Sequence, residues 1–371
     1  MKSERSEVID LFKALACLLI VLHHLAVYSP MSDIAYELAP AVEDFLFEHG
    51  LLAVQVFLVV GGYLNAKSWV KILSHAQFQF LPRLFARYQR LVIPLLAALT
   101  FTVLVSAIIR PYFDHSSLSA APTALQVVAH VLLLQDVLYL EAFSAGVWYV
   151  AIDFQLFALA LGCAWVAHRW QGISGRGSVV RKAMFFWLLL TLGSLFIWNL
   201  NPLGEIWGSY FFCAYGLGLC VGCWRYADFK ISHQSLGLLI FFTGALAMAY
   251  EPRIRLFVAL VTAMLLAFYE ATNCQKIPRL KARWIQILSS ASYGIFLTHF
   301  GVSIAVSALV FNFWSENIVV NVLGLLLSLA LSIVLGWQLY RHIENQVPSW
   351  KRLMQWTSTF VLACTAVMVF S

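Results

Sequence analysis

The chain has 371 residues and a formal net charge of +6; 61% of its residues are hydrophobic and only 11% are charged. With a mean hydropathy of +0.81, this composition excludes an ordinary soluble protein, whose surface carries far more charge. Lipid must therefore cover much of the surface.

Apolar stretches that are long enough to cross a membrane recur from one end of the chain to the other. A spanning helix needs about 20 apolar residues, and the ten-residue alternation of a membrane β-barrel is missing from the sequence. The sequence therefore predicts an all-α, polytopic transmembrane helical bundle of about 10–11 spans. The predicted spans are 8–28, 50–67, 91–109, 147–167, 183–199, 207–224, 235–250, 253–270, 291–311, 318–340 and 353–370.

The charges of the loops predict the orientation of the bundle. If the N-terminus is cytoplasmic, the cytoplasmic loops hold most of the lysines and arginines, and the opposite side keeps only Arg110, Arg253 and Arg255. Basic loops beside a membrane also account for the net charge, so no nucleic-acid partner is expected.

This orientation holds only if the segment 123–140 does not cross the membrane. The segment is apolar, but it contains three polar residues, and counting it as a span would invert every later loop. We therefore predict an interfacial or partly buried helix. The three polar residues are His130, Gln135 and Asp136.

The first span carries a polar stripe. Lys13 and His24 are eleven residues apart, which brings them within about 20° of the same helix face and roughly 16 Å apart along the axis. Asp10 lies on the same side, and His23 on the other. Lys13 alone could be a cation that snorkels to the interface. Ionisable residues inside spans are functional candidates, and His24, aligned with a lysine and an aspartate, favours a water-accessible cavity.

Two further motifs flank the first cytoplasmic loop. The segment FLVVGGYL brings Gly61 and Gly62 together, which permits either close helix packing or a broken helix around a ligand. In FLPRLFARYQRLVIP, Arg83, Arg87 and Arg90 lie within about 60° on one helix face. Three guanidinium groups suit a polyanion such as a phosphate ester, and contact with lipid headgroups is the alternative that spacing alone favours.

The spans VWYVAIDFQLF and SSASYGIFLTHF hold the remaining polar candidates. By depth, Asp153 and His24 belong to the outer third of the membrane and His299 to the midplane, and their proximity is a hypothesis. Cys220 and Cys223 form a lone C-x-x-C without a second pair, so no metal site is predicted. The other candidates in these spans are Trp148, Gln155, Ser292 and Tyr293.

Taken in order, these motifs resemble the acyltransferase-3 family of membrane acyltransferases. The opening from Asp10 through Lys13 to His24 resembles the family's aspartate and arginine followed by ten residues and a histidine. FLVVGGYL is similar to F-x-x-S-G-Y/F-L, the arginine series to R-x-x-R-x-x-P, VWYVAIDFQLF to W-x-L-x-x-E-x-x-F-Y, SYGIFLTH to S-Y-G-I/L-Y-L-x-H, and HIENQVP to the closing E-x-P. Lys13 replaces the usual arginine, Gly61 a serine and Asp153 a glutamate.

The resemblance implies a single membrane domain over 1–371, with a core at about 5–350 and an additional C-terminal helix at 353–370. It implies an acyltransferase of the inner or plasma membrane. The implied reaction moves an acyl group, most often acetyl, from cytoplasmic acyl-CoA to a hydroxyl of a cell-surface or lipid-linked glycan. Glycan-assembly partners would be separate proteins. A transporter or flippase for a lipid-linked saccharide is the alternative, although no inverted internal repeat is visible.

The resemblance also implies roles for the candidate residues. His24 would be the general base or a transient acyl carrier, with Asp153 orienting it and Lys13 beside the route of the acyl-CoA arm. Arg83, Arg87 and Arg90 would bind the phosphates of acyl-CoA, and no metal is required. The expected substrate path comprises Asp10, Gly61, Gly62, Tyr63, Trp148, Gln155, Ser292, Tyr293 and His299.

Overall fold

A computed structural model describes residues 7–74, 77–170, 177–226, 233–272 and 283–370. Within these residues, all regular secondary structure is helical. We number the α-helices in chain order: α1 Glu7–Tyr28, α2 Pro30–Ala35, α3 Pro40–His49, α4 Ala53–Leu73, α5 Phe80–Ile109, α6 Ala124–Leu132, α7 Val147–Arg169, α8 Gly177–Phe196, α9 Gly208–Tyr226, α10 His233–Tyr250, α11 Ile254–Ala271, α12 Arg283–Trp314, α13 Ile318–Leu339 and α14 Trp350–Phe370.

Nine helical segments of the described chain are long and apolar enough to cross a membrane. They coincide with nine of the predicted spans and confirm a multi-pass, all-α bundle. The two other predicted spans, 207–224 and 235–250, lie on α9 and α10, which are not among the nine. The nine are Glu7–Tyr28, Pro40–Leu73, Phe80–Ile109, Val147–Arg169, Val179–Leu200, Ile254–Ala271, Arg283–Trp314, Ile318–Glu344 and Trp350–Phe370.

The segment 123–140 contains one helix that is too short to cross a bilayer. This helix, α6, has nine residues, or about 13 Å at 1.5 Å per residue. Thr123 and Gln126 form a capping box at its start, and Leu133, in the left-handed region, ends it. The length agrees with the prediction that this segment does not span.

The described residues fall into two compact units. The first unit contains 7–53, 88–151 and 283–370, and the second contains 54–74, 77–87, 152–170, 177–226 and 233–272.

Helices α1 and α12 form the core of the first unit and run parallel. Three side-chain hydrogen bonds join them, and a fourth joins Ser29, directly after α1, to α12. All four follow the same order along the two segments, with sequence separations between 275 and 279 residues. Every residue of α1 therefore has a defined level on α12. The four pairs are Asp10 with Ser289, Cys17 with the carbonyl of Ser292, His24 with His299, and Ser29 with Ser307.

Helix α5 also runs parallel to α12 within the first unit. The hydroxyl of Tyr293 donates to the carbonyl of Leu91 over 2.8 Å. Further along, a Cβ at Gly301 would lie 2.8 Å from atoms of both Phe101 and Thr102. The glycine thus allows the two helices to approach closely, and the register of α5 on α12 is fixed at two levels.

In the second unit, helices α4 and α9 are in backbone contact through glycines. A Cβ at Gly62 would overlap the carbonyl oxygen of Tyr215, and one at Gly218 would overlap that of Val59. Helix α4 is continuous, so the structure selects close packing over a broken helix for Gly62. At Gly61, by contrast, no atom of the described chain lies within 4 Å of an added Cβ.

Candidate functional site

Two buried histidines meet in the core of the first unit. Nδ1 of His24 lies 2.7 Å from Nε2 of His299. The rings are nearly parallel, with 9° between their planes and 4.8 Å between their centroids. Only 4% of His24 and 1% of His299 are exposed. The sequence placed His299 deeper than His24, but this contact puts both side chains at one level.

The partners of the two rings define a direction for the hydrogen bond. Nδ1 of His299 lies 2.6 Å from the carbonyl oxygen of Phe296, which can only accept, so this nitrogen carries a proton. In the neutral ring, Nε2 of His299 is then an acceptor, and Nδ1 of His24 donates to it. Nε2 of His24 is left with an unprotonated lone pair.

This lone pair makes His24 the basic atom of the site. Among the described residues, Nε2 of His24 has no hydrogen-bonding partner. The ring is surrounded by the aromatic rings of Tyr28 and Phe296, whose centroids lie 5.6 and 6.4 Å away. An oriented imidazole with a free Nε2 in apolar surroundings is suited to remove a proton from a bound hydroxyl.

The neighbouring His23 has a different, structural environment. Its Nδ1 donates to the carbonyl of Leu46 over 2.8 Å. A Cβ at Gly50 would lie 2.5 Å from Cβ of His23, so the ring packs where only glycine fits. His23 therefore ties α1 to α3 and packs against Gly50 directly after it.

A second polar group of the first unit lies at the other end of the α1 stripe. Ser289 donates to Oδ1 of the buried Asp10 over 2.6 Å. Glu344, in the π-helical turn Tyr340–Glu344 after α13, interacts electrostatically with Lys13 and Arg90. Its Oε2 is buried and has no hydrogen-bond partner within the described part of the chain. Lys13 and Arg90 thus face a common carboxylate.

In the second unit, Arg87 forms an ion pair with Asp153. Nη2 of Arg87 lies 2.8 and 2.6 Å from the two carboxylate oxygens, and its guanidinium lies 5.4 Å above the ring of Phe157. The sequence assigned Asp153 to His24 and Arg87 to a phosphate. The structure pairs Asp153 with Arg87 and His24 with His299.

The remaining candidates of the second unit make structural contacts. Tyr63 donates to Glu270, which also pairs with Arg225. Gln155 accepts from the backbone of Gly208 over 2.7 Å and donates to the carbonyl of Ile206.

Two other candidates of the first unit, Ser292 and Trp148, approach the histidine pair along α12 and through aromatic rings, respectively. The hydroxyl of Ser292 donates to the carbonyl of Ser289 over 3.0 Å, and Ser292 lies about two turns before His299 on α12. The ring of Trp148 lies edge-on to that of Tyr149, which in turn contacts Phe296. Trp148 is thus separated from His299 by two aromatic rings.

Four residues with defined contacts were not among the sequence candidates: Ser289, Phe296, Glu270 and Glu344. Glu270 lies at the end of an apolar helix, where charge is ordinary and gives little signal. Glu344 is the glutamate of HIENQVP, and this motif is the signal that could have found it. Ser289 and Phe296 are identified only by what they contact.

The fold and the site define a class of protein: a multi-pass helical membrane protein with an oriented histidine pair in its core. The family model described as an acyltransferase domain matches residues 7–337, and the chain therefore belongs to the acyltransferase-3 family. Helix α14 lies beyond the matched residues. No curated protein matches the chain significantly, and no solved structure does. The protein is thus a membrane acyltransferase.

Proposed function

We propose that this acyltransferase moves an acyl group, most often acetyl, from acyl-CoA at the cytoplasmic face to a hydroxyl of a cell-surface or lipid-linked glycan. The observation that carries the proposal is the hydrogen bond from His24 to His299, which leaves an unprotonated Nε2 on the α1 stripe. The family supplies the reaction class, and the inner or plasma membrane is the proposed location.

His24 acts as the general base. Its Nε2 takes the proton of the acceptor hydroxyl while the hydroxyl oxygen attacks the carbonyl carbon of the thioester. The bond between this carbon and sulfur then breaks, and the leaving thiolate takes the proton from Nε2. The products are an O-acyl ester and free CoA thiol. His299 is the positioning residue, because it holds the tautomer and orientation of His24.

The donor enters from the Lys13 end of the stripe. Lys13 and His24 are eleven residues apart, or roughly 16 Å along α1, which suits a donor whose phosphates and thioester lie at opposite ends of a flexible arm. Lys13, Arg90 and Arg83 provide the positive charge for the phosphates. Arg87 joins them only if the donor displaces Asp153, and otherwise this ion pair is structural.

The decisive experiment measures free thiol released from acetyl-CoA by the purified protein in the presence of a glycan acceptor. Replacing His24 with alanine should lower the rate at least about 100-fold. The matched control is His23→Ala, which keeps the Cβ that packs against Gly50 and should retain the wild-type rate.

Two outcomes would contradict the proposal. Full thiol release by folded His24→Ala would exclude His24 as the base. A wild-type protein that releases no thiol but moves a lipid-linked saccharide across the bilayer would instead be a transporter. Mass spectrometry of cell-surface glycans with and without the protein identifies the acceptor and the acyl chain.

A further inference from the structure

The segment 118–146 in the first unit begins and ends at the same place. Arg110, just after α5, donates to the carbonyl of Ser119 over 3.2 Å. Ser119 donates to the carbonyl of Ala142 over 3.4 Å, and Gln126 donates to that of Glu141 over 3.2 Å. The two ends of the segment are therefore tied together near the C-terminal end of α5.

The middle of the segment contacts α5 closer to the N-terminal end of that helix. The hydroxyl of Tyr88 donates to the carbonyl of Val131 over 2.6 Å. Tyr88 and Arg110 are 22 residues apart on the same helical stretch, or about 33 Å at 1.5 Å per residue, of which two long side chains bridge at most about half. The chain thus leaves one end of α5, runs alongside it as α6, and returns.

The parallel helices α5, α12 and α1 show which residues of α1 lie level with the middle of the segment 118–146. Tyr293 of α12 bonds to Leu91 of α5, one turn beyond Tyr88. On α1, the same level of α12 corresponds to Cys17, which bonds to the carbonyl of Ser292. The tip of the segment therefore lies at the level of α1 between Lys13 and His24.

The backbone between α6 and Leu140 is irregular. Leu133 and Tyr139 have φ values of 58° and 53°, a left-handed conformation that costs a residue with a side chain about 1–2 kcal/mol. At membrane depth, non-helical backbone is tolerated only where it is buried in protein or lines a cavity. Strained backbone of this kind is concentrated at ligand-binding sites.

Gln135 lies between Leu133 and Tyr139, and its side chain is buried. It has no exposed surface, and its Nε2 donates to Oδ2 of Asp136 over 2.6 Å. Its Oε1 is buried and has no hydrogen-bond partner among the residues that the structure describes. An amide oxygen buried without a partner is costly, so it requires a donor that the protein itself does not supply.

We propose that the segment 118–146 is a re-entrant loop and that Oε1 of Gln135 accepts a hydrogen bond from an amide N–H of the acyl-CoA arm. This inference rests on acyl-CoA as the donor in the proposed function. The arm of CoA carries two amide groups between its phosphates and its thioester. An acceptor between Lys13 and His24 meets this arm, whereas the glycan hydroxyl arrives at His24 from the opposite side.

The loop topology is tested without any catalytic assay. Ser116→Cys and Glu141→Cys, both at exposed positions, are treated with a membrane-impermeant maleimide in sealed, oriented vesicles, with the wild-type chain as the background control. We expect both positions to be labelled from the same side. Labelling from opposite sides would mean that the segment crosses the membrane, and it would overturn the re-entrant loop whether or not the protein is an acyltransferase.

The ligand is tested with Gln135→Met, which keeps the length of the side chain and removes its acceptor. We expect the KM for acetyl-CoA to rise about tenfold, which corresponds to one lost hydrogen bond, while the KM for the acceptor is unchanged. The matched control is Gln55→Met, at another buried glutamine.

A second acyl donor that lacks amide groups distinguishes a lost hydrogen bond to the donor from a general folding defect of the variant. With the acetyl thioester of a simple alkyl thiol, which has no amide, Gln135→Met and the wild-type protein should react equally well. An equal loss with both donors, or a raised KM for the acceptor alone, would overturn the assignment. If the wild-type protein reacts with neither donor, the proposed function fails, and the labelling result still decides the topology.

Discussion

Replacement of His299 tests the proposed role of the histidine pair most directly. His299 bonds to Nδ1 of His24 and leaves Nε2, the proposed base, free to act on the substrate. In the wild-type protein, Nδ1 of His24 donates to Nε2 of His299 over 2.7 Å. Replacing His299 with leucine removes this acceptor and leaves the N–H of His24 buried without a partner. An unpaired buried donor costs about 1–3 kcal/mol. His24 can avoid this cost by moving its proton to Nε2 or by rotating, and either change removes the basic atom.

The expected magnitude follows from this cost. If 1–3 kcal/mol is lost in the transition state, kcat falls roughly 5- to 150-fold at about 1.4 kcal/mol per factor of ten. KM for acetyl-CoA should be unchanged, because His299 does not contact the donor in this mechanism. His299→Gln should recover part of kcat, since its amide oxygen can accept the same proton.

The assay is thiol release at saturating acceptor, with kcat and KM determined separately for both variants. Thermal unfolding in detergent shows whether each variant is folded, and His23→Leu reports the cost of removing a histidine from the same helix. A leucine variant with wild-type kcat, or glutamine and leucine variants with equal loss, would refute the role of His299 in orienting His24.

Three further predictions concern stability, and thermal or denaturant unfolding in detergent measures each of them. Gly62→Ala should destabilise the fold by about 2 kcal/mol or more, because its Cβ meets backbone, whereas Gly61→Ala should be neutral; equal effects would contradict this close helix contact. Arg87→Met alone should cost about 3 kcal/mol, and adding Asp153→Leu should recover most of it; additive losses would contradict the pairing. Burial lowers the pKa of His130 from 6.5 to about 4, so stability should be full above pH 6.5 and fall as the pH drops towards 4, by up to about 3 kcal/mol. His130→Asn should abolish this dependence, and its persistence would assign it to other groups.

The sequence alone predicted most of the spanning helices and the polar face of α1. Apolar length and composition predicted nine segments that the structure confirms as long and apolar enough to span, and the polar residues of 123–140 separated α6 from them. Helical periodicity placed Asp10, Lys13 and His24 on related faces of one helix, because rotation and rise within a helix depend only on residue number. The motifs in order then indicated the family.

Only the tertiary structure decided which side chains meet. The partner of His24 lies 275 residues away on α12, and no periodicity within α1 specifies the neighbour of a helix face. The same limitation applies to Asp153, because its ion-pair partner Arg87 lies on another helix 66 residues away. The sequence thus determined the positions along each helix, whereas packing between distant helices determined the hydrogen-bond partners and hence which ring nitrogen of His24 carries the proton.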